Sequence, residues 1–168
     1  MPVVSGSSGR DVATSLAPLI GMQYIELESR RFPDGEGYVR VPSNAIDAVR
    51  SEPVVLVSNT YPDSGIVNTV LLLEAIAEVR RGNLSNIKGE EPQNMEDVGR
   101  GVYLAIPYYG YSRQDKRFSK GEAVSARVIA DILARGCDGI AILDLHEPAV
   151  LKDMEVPIEF VSSMPEIA

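Results

Sequence analysis

Arg113, Gln114 and Asp115 stand side by side in YSRQDKRFSKGE, residues 111 to 122, directly after the apolar run VYLAIPYY. An arginine fork grips phosphate oxygens in pairs, a glutamine amide hydrogen-bonds both ways to a base or sugar, and an aspartate can orient the arginine or a metal-bound water. Between 113 and 120 the chain places Arg113, Lys116, Arg117 and Lys120 against Asp115 alone. This local basic excess suits a nucleoside polyphosphate. A solvated loop laced with salt bridges is the other reading that the composition allows.

Two further stretches carry side chains of chemical interest. In RRFPDGEGYVRV, residues 30 to 41, an exposed Phe32 could stack on an aromatic base while Asp34 and Glu36 hydrogen-bond its exocyclic groups. The same residues also read as a plain β-hairpin, because PDG is a good turn and YVRV alternates as a strand does. In LDLHEP, residues 143 to 148, the chain's only histidine, His146, follows an apolar run and is flanked by Asp144 and Glu147. Such a histidine can hold a metal or a phosphate, with its tautomer set by a neighbouring carboxylate, or can be purely structural.

Other chemistries lack their residues. There is no G-x-S-x-G elbow for a serine triad, no G-x-x-x-x-G-K-[ST] phosphate loop and no paired-cysteine metal site. A net charge of −8 argues against a nucleic-acid partner held through its phosphates, which needs a basic face. No apolar run is long enough to cross a bilayer and the first residues lack a signal-peptide pattern, so the expected setting is cytoplasmic, with no membrane partner. The single cysteine, Cys137, sits among apolar residues and reads as a buried small side chain.

These residues need a scaffold, and the chain supplies one of about a single domain's length, 168 residues. VVLVSN (54–59), VYLAIP (102–107) and IAILDL (140–145) are short runs rich in branched side chains, as buried strands are. Between them, residues 64 to 82 place Ile66, Val70, Leu73, Ile76 and Ala77 on one helical face. Residues 125 to 136 likewise group Val128, Ile129, Ile132 and Leu133. PVVSG followed by SGRDVATSLAPLIG repeats the scheme at the start, with Pro18 weakening the helix, and the SGSSG tract belongs to the native chain. Alternating strands and helices predict an α/β fold, a doubly wound, mainly parallel sheet with helices on both faces and ligands at the carboxyl ends of the strands. The polar, aperiodic segment 83–101 is expected to be a surface excursion, an insertion or a partly disordered loop.

In order, FPDGE, PYYGYSRQDKRFSKGEAVSARVIADIL and LDLHEP resemble three motifs of the ribose-phosphate pyrophosphokinases, also called phosphoribosyl pyrophosphate synthetases. The SG-x-S before the first helix and the DSGIVNTVLLLEAI helix fit as well, so the resemblance covers nearly the whole chain apart from residues 83 to 101. It implies a phosphoribosyltransferase-like N-terminal domain in an enzyme that moves pyrophosphate from Mg·ATP to the 1-hydroxyl of ribose 5-phosphate, giving phosphoribosyl pyrophosphate and AMP. On that resemblance Arg113, Gln114 and Asp115 would hold ATP and His146 would ligate Mg2+. Phe32, Asp34 and Glu36 would bind adenine in a neighbouring subunit, which implies a homo-oligomer.

The family's second half carries a D-D-x-x-x-T-G-G-T loop for ribose phosphate and a flexible loop with catalytic Lys and Arg, and neither is in these residues. The chain therefore resembles the ATP-binding half, expected to be inactive alone, with the ribose 5-phosphate site mostly elsewhere. A nucleotide-binding regulatory subunit, or an α/β domain whose polar loops serve only an oligomer interface, are the alternatives.

Overall fold

The computed structural model describes residues 1–82, 84 and 97–164, so the expected excursion at 83–101 lies mostly outside the described residues. Its centre is a six-stranded parallel sheet. In chain order the elements are β1 (Val3–Ser5), α1 (Arg10–Leu19), β2 (Tyr24–Glu26), β3 (Glu28–Arg31), β4 (Gly37–Arg40), α2 (Ile46–Ser51), β5 (Val54–Val57) and α3 (Asp63–Arg81). There follow β6 (Val102–Ile106), α4 (Ser125–Ala134), β7 (Gly139–Leu143) and β8 (Ile158–Val161). The sheet order is β2-β1-β5-β6-β7-β8, while β3 and β4 form a separate antiparallel hairpin. The strand order reverses between β1 and β5, the switch point at which sheets of this class open a crevice at the carboxyl ends of their strands.

Alternate side chains on each strand serve opposite faces. Val4, Leu56, Leu104 and Ile140 stand in register across four strands, and α2, α3 and α4 cover them to make the main core. On the other face Val3 and Val57 pack against Ala13 and Ala17 of α1. Helices thus lie on both faces, as expected of a doubly wound sheet. The second face is covered unevenly, however, and beyond β5 it is open. Tyr103 there is 44% exposed, and an apolar groove of about 300 Å³ runs past Ala105, Ala141 and Glu159.

The elements end where local chemistry dictates. Helix α3 carries Asp63 in its first turn and Arg80 and Arg81 in its last, each sign opposing the helix dipole, and stops at Gly82 in the left-handed conformation. Pro18 has no amide to donate to the Thr14 carbonyl, and α1 ends one residue later at Leu19. The SGSSG tract is built into the fold: a Cβ on Gly9 would lie 2.0 Å from the Val57 carbonyl oxygen, so only glycine lets this turn close onto β5. Among the described residues no helix is long and apolar enough to cross a membrane.

Two expectations need correction. Helix α4 does not turn Val128 and Ile132 inward; they are 46% and 41% exposed, while Ala126, Ala130, Leu133 and Ala134 face the core. Small side chains let α4 sit close to its neighbours, and that gain in packing outweighs the larger transfer energy of the branched residues. Strands β2 and β8 and helix α2 were also not anticipated in the sequence, all six residues or shorter, whereas β3 and β4 form the hairpin that residues 30 to 41 suggested.

Arg50 and Arg80 are buried polar exceptions in the main core. Arg80 donates to the carbonyls of Val49 and Glu52 at the end of α2 and to Gly99, while Arg50 donates to Val79 at the end of α3. Each guanidinium therefore caps the helix that carries the other, satisfying carbonyls that a helix end leaves open. Burial pulls the Arg80 guanidinium below its ordinary value.

Cys137 is fully buried, its Sγ donating to the Leu133 carbonyl, and burial pushes the thiol up to about 11. The reactive thiolate is then scarce at physiological pH. Iodoacetamide is expected to leave the native chain unmodified and to alkylate it once after denaturation, a difference that intact-mass spectrometry reads directly.

Candidate functional site

Three loops meet at the carboxyl ends of β1, β5 and β6. Asn59 ties them together: its side-chain amide donates to the Ser8 carbonyl at 2.7 Å and its oxygen accepts the Tyr108 amide at 3.0 Å. Thr60 adds a second link, accepting the Gly110 amide at 2.7 Å, and a Cβ on Gly110 would lie 2.4 Å from the Thr60 carbonyl oxygen. The loop after β6 is thereby pinned before its charged residues begin.

That loop starts at Tyr111, which adopts a left-handed backbone with φ 65° and donates its hydroxyl to Asp63 at 2.7 Å. The bond to the Asp63 carboxylate favours the protonated phenol and raises the Tyr111 pKa. Arg113 follows, exposed, with no hydrogen bond or ion pair to any described residue. Gln114 is half-buried: its carbonyl accepts from Ala126 at the start of α4, and its side chain donates to Lys116 O and toward Glu122. Asp115 is half-buried beside it. The loop therefore presents a guanidinium and an amide on a rigid base.

His146 lies after β7, the strand paired with β6, and is exposed with its ring unengaged by described residues. The carboxylates expected to orient it are committed elsewhere. Asp144, left-handed at φ 49°, accepts the backbone amide and hydroxyl of Ser163, which hold its carboxyl below the usual range. Glu147 caps the short helix Pro148–Leu151 through the Ala149 amide. Neither sets the imidazole tautomer. Among the described residues no three His, Cys, Asp or Glu side chains converge to hold a metal. A magnesium ion carried on nucleotide phosphates keeps several waters and takes only one or two protein ligands, as a rule carboxylates; here the flanking carboxylates are committed and the unengaged group is the His146 imidazole.

Phe32, Asp34 and Glu36 sit apart from this loop, on the turn between β3 and β4. Phe32 meets Tyr38 edge to face at 5.7 Å, with the Arg30 guanidinium 5.0 Å over its ring. Asp34 accepts the Glu36 amide at 3.1 Å, so one of its oxygens shapes the turn. The hairpin packs on α3, and no hydrogen bond or ion pair joins it to Arg113, Gln114 or Asp115.

A cleft of about 590 Å³ opens at the switch point, lined by Ser7, Ser8, Arg31, Glu36, Ser64 and Asn68 among others. Of the candidate ligand-binding residues Arg113, Gln114, Asp115, His146, Phe32, Asp34 and Glu36, Glu36 alone lines it, so this cleft and the charged loop are neighbours and do not coincide. Sequence reasoning also missed Asn59, Asp63 and Glu122. The polar turn SNTYPD after a buried strand was the signal for the first two, since loops at strand ends build such sites.

A family model of the N-terminal domain of ribose phosphate pyrophosphokinase matches residues 97–136, the stretch that contains β6, the charged loop and α4. A ribose-phosphate pyrophosphokinase of Methanothermobacter thermautotrophicus is 35% identical over 169 residues, an alignment covering 99% of this chain and 51% of the relative. Along nearly its whole length the chain is similar to one half of a ribose-phosphate pyrophosphokinase. A second ribose-phosphate pyrophosphokinase, from Methanopyrus kandleri, is 35% identical over 99% of this chain and 50% of its own length. The crystal structure of a phosphoribosylpyrophosphate synthetase from Mycobacterium smegmatis has the same fold, with a TM-score of 0.74 at 18% identity, over 99% of this chain and 49% of that one. The chain spans about half the length of the ribose-phosphate pyrophosphokinases it matches.

Proposed function

We propose that this chain is a single-domain, ATP-binding half of a ribose-phosphate pyrophosphokinase. The supporting observation is the loop after β6, which holds the unpaired Arg113 guanidinium and the braced Gln114 amide one strand away from the unengaged His146. In the whole reaction the 1-hydroxyl oxygen of ribose 5-phosphate attacks the β-phosphorus of ATP, and AMP departs. Little covalent work falls to the protein in such a displacement, which is driven by positioning and by stabilisation of developing charge.

In this reading Arg113 grips phosphate oxygens, Gln114 hydrogen-bonds the nucleotide, Asp115 orients the arginine or a metal-bound water, and His146 ligates the Mg2+ that enters with ATP and spreads the phosphate charge. Phe32, Asp34 and Glu36 receive adenine in a neighbouring copy, so the site is complete only in a homo-oligomer. The separation of the hairpin from Arg113 within one chain supports that division. The ribose 5-phosphate site lies mostly in the family's other half.

The test is a calorimetric titration of the chain with Mg·ATP, with sedimentation in the same buffer to define its association state. Saturable binding by the assembled chain is expected. An assembled chain that takes up no Mg·ATP overturns the reading. Transfer of pyrophosphate when a catalytic second half is supplied separates the enzyme half from a nucleotide-binding regulatory subunit, which binds ATP and transfers nothing.

A further inference from the structure

Glu122 is an acidic residue in the middle of a loop proposed to receive a polyphosphate. A carboxylate facing the ligand would repel it, yet this one faces inward. One oxygen, Oε2, accepts the Phe118 amide at 2.6 Å and the Ser119 amide at 3.0 Å, and lies 3.5 Å from Gln114 Nε2. The Glu122 backbone takes part as well: its carbonyl accepts from Arg117 Nε at 2.9 Å and its amide donates to Ser119 O. Residues 114, 118 and 119 are thus gathered around the Glu122 side chain and Arg117 on its backbone carbonyl, closing residues 114–122 into a ring. At the other end the loop is fixed by the Tyr111 hydroxyl on Asp63 and by Gln114 O on the start of α4.

We infer that Glu122 is a positioning residue for nucleotide binding, a carboxylate that holds Gln114 and the basic loop in shape while its own charge is absorbed by backbone amides. This rests on the ATP-binding reading of the loop. Without Glu122 the Phe118 and Ser119 amides lose their acceptor, the segment 114–122 opens, and Gln114 loses one of the two oxygens that orient its amide.

The inference makes a prediction whose sign opposes simple electrostatics. Removing a negative charge beside a polyanion site should tighten binding if charge alone governs it. Glu122→Ala is instead expected to weaken Mg·ATP binding about tenfold, the scale of losing a set of charge-assisted hydrogen bonds that order a site, while inorganic tripolyphosphate, which needs only the basic charge, binds as well or better. Glu122→Gln, which keeps an acceptor oxygen of the same reach, should recover part of the ATP affinity.

A second readout needs no nucleotide. Limited trypsin digestion of the native chain should cut after Arg117 and Lys120 faster in Glu122→Ala than in wild type, with the thermal midpoint little changed. ATP affinity equal to or above wild type in Glu122→Ala overturns the positioning role, as do equal cleavage rates. If wild type binds no Mg·ATP but the cleavage rates differ as stated, the ATP reading of the loop fails, and the inference about nucleotide fails with it. The structural part, Glu122 as the staple of the loop, then survives.

Discussion

Replacing Arg113 by alanine is expected to weaken Mg·ATP binding about 10- to 100-fold, matching the roughly 1.5–3 kcal/mol that a hydrogen bond to a charged group contributes. The side chain is exposed and has no partner among the described residues, so its removal leaves the fold intact. The thermal midpoint and the association state should both be those of wild type. Arg113→Lys keeps the charge and loses the planar fork, and it should recover only part of the affinity. Calorimetry on the three proteins under one ionic strength reads the effect. An Arg113→Ala protein that titrates like wild type would falsify the assignment of Arg113 to ATP; the loop's other arginine, Arg117, is tied through Nε to the Glu122 carbonyl.

The largest effect on stability is expected at Arg80. Truncation to alanine leaves the carbonyls of Val49, Glu52 and Gly99 without their donor and empties the space of a long side chain that is 4% exposed. Of the three acceptors only the Val49 carbonyl belongs to a buried residue, at about 1–3 kcal/mol when left unsatisfied, and with the emptied side-chain space a loss of about 3 kcal/mol follows. For a domain of this size that corresponds to a fall of roughly 6–12 °C in the midpoint. Differential scanning calorimetry provides the measurement. A drop of a degree or two would mean that water replaces the guanidinium and that the crossed caps contribute little. Gly101 belongs to the same arrangement, since a Cβ there would lie 2.7 Å from Arg80 Nη2 and press on the buried group.

The sequence disclosed those parts of the fold in which local pattern and tertiary packing agree. VVLV, VYLAI and GIAIL are branched, apolar and short, and they became β5, β6 and β7. The helix over 63–81 was legible from its period, and Ile66, Leu73, Ile76 and Ala77 all turned inward. Agreement ended where packing overrode hydrophobicity. In α4 the alanines face the core, and period alone cannot show that close approach matters more there than side-chain size. Elements of three to six residues, such as β2, β8 and α2, carry too few side chains to display a period, and neighbouring strands and helices hold them in place.

The candidate site was legible by position and less so by partnership. Strand-end placement singled out Arg113–Asp115 and His146 correctly as strand-end residues. It could not show that Asp144 turns to Ser163 and Glu147 to a helix start, because adjacency in sequence says nothing about which way a carboxylate points. Nor could it show that Glu122 faces into its own loop. In both cases the deciding information is a backbone amide several residues away, brought near by a turn.

Tyr111 and Asp144 are the two non-glycine residues with positive φ among those described, and they stand at the ends of the adjacent strands β6 and β7. A left-handed conformation costs an L-residue about 1–2 kcal/mol, less for aspartate, and glycine would avoid it. At each position the side chain makes a bond that glycine would forfeit, Tyr111 to Asp63 and Asp144 to Ser163. Glycine would relieve that strain but would give up the bond and add backbone freedom to the unfolded chain, so relief of strain alone does not decide which residue is the more stable at either position. Whatever the balance for melting, the side chains at these two positions are what tie the ends of β6 and β7 to the segments around them.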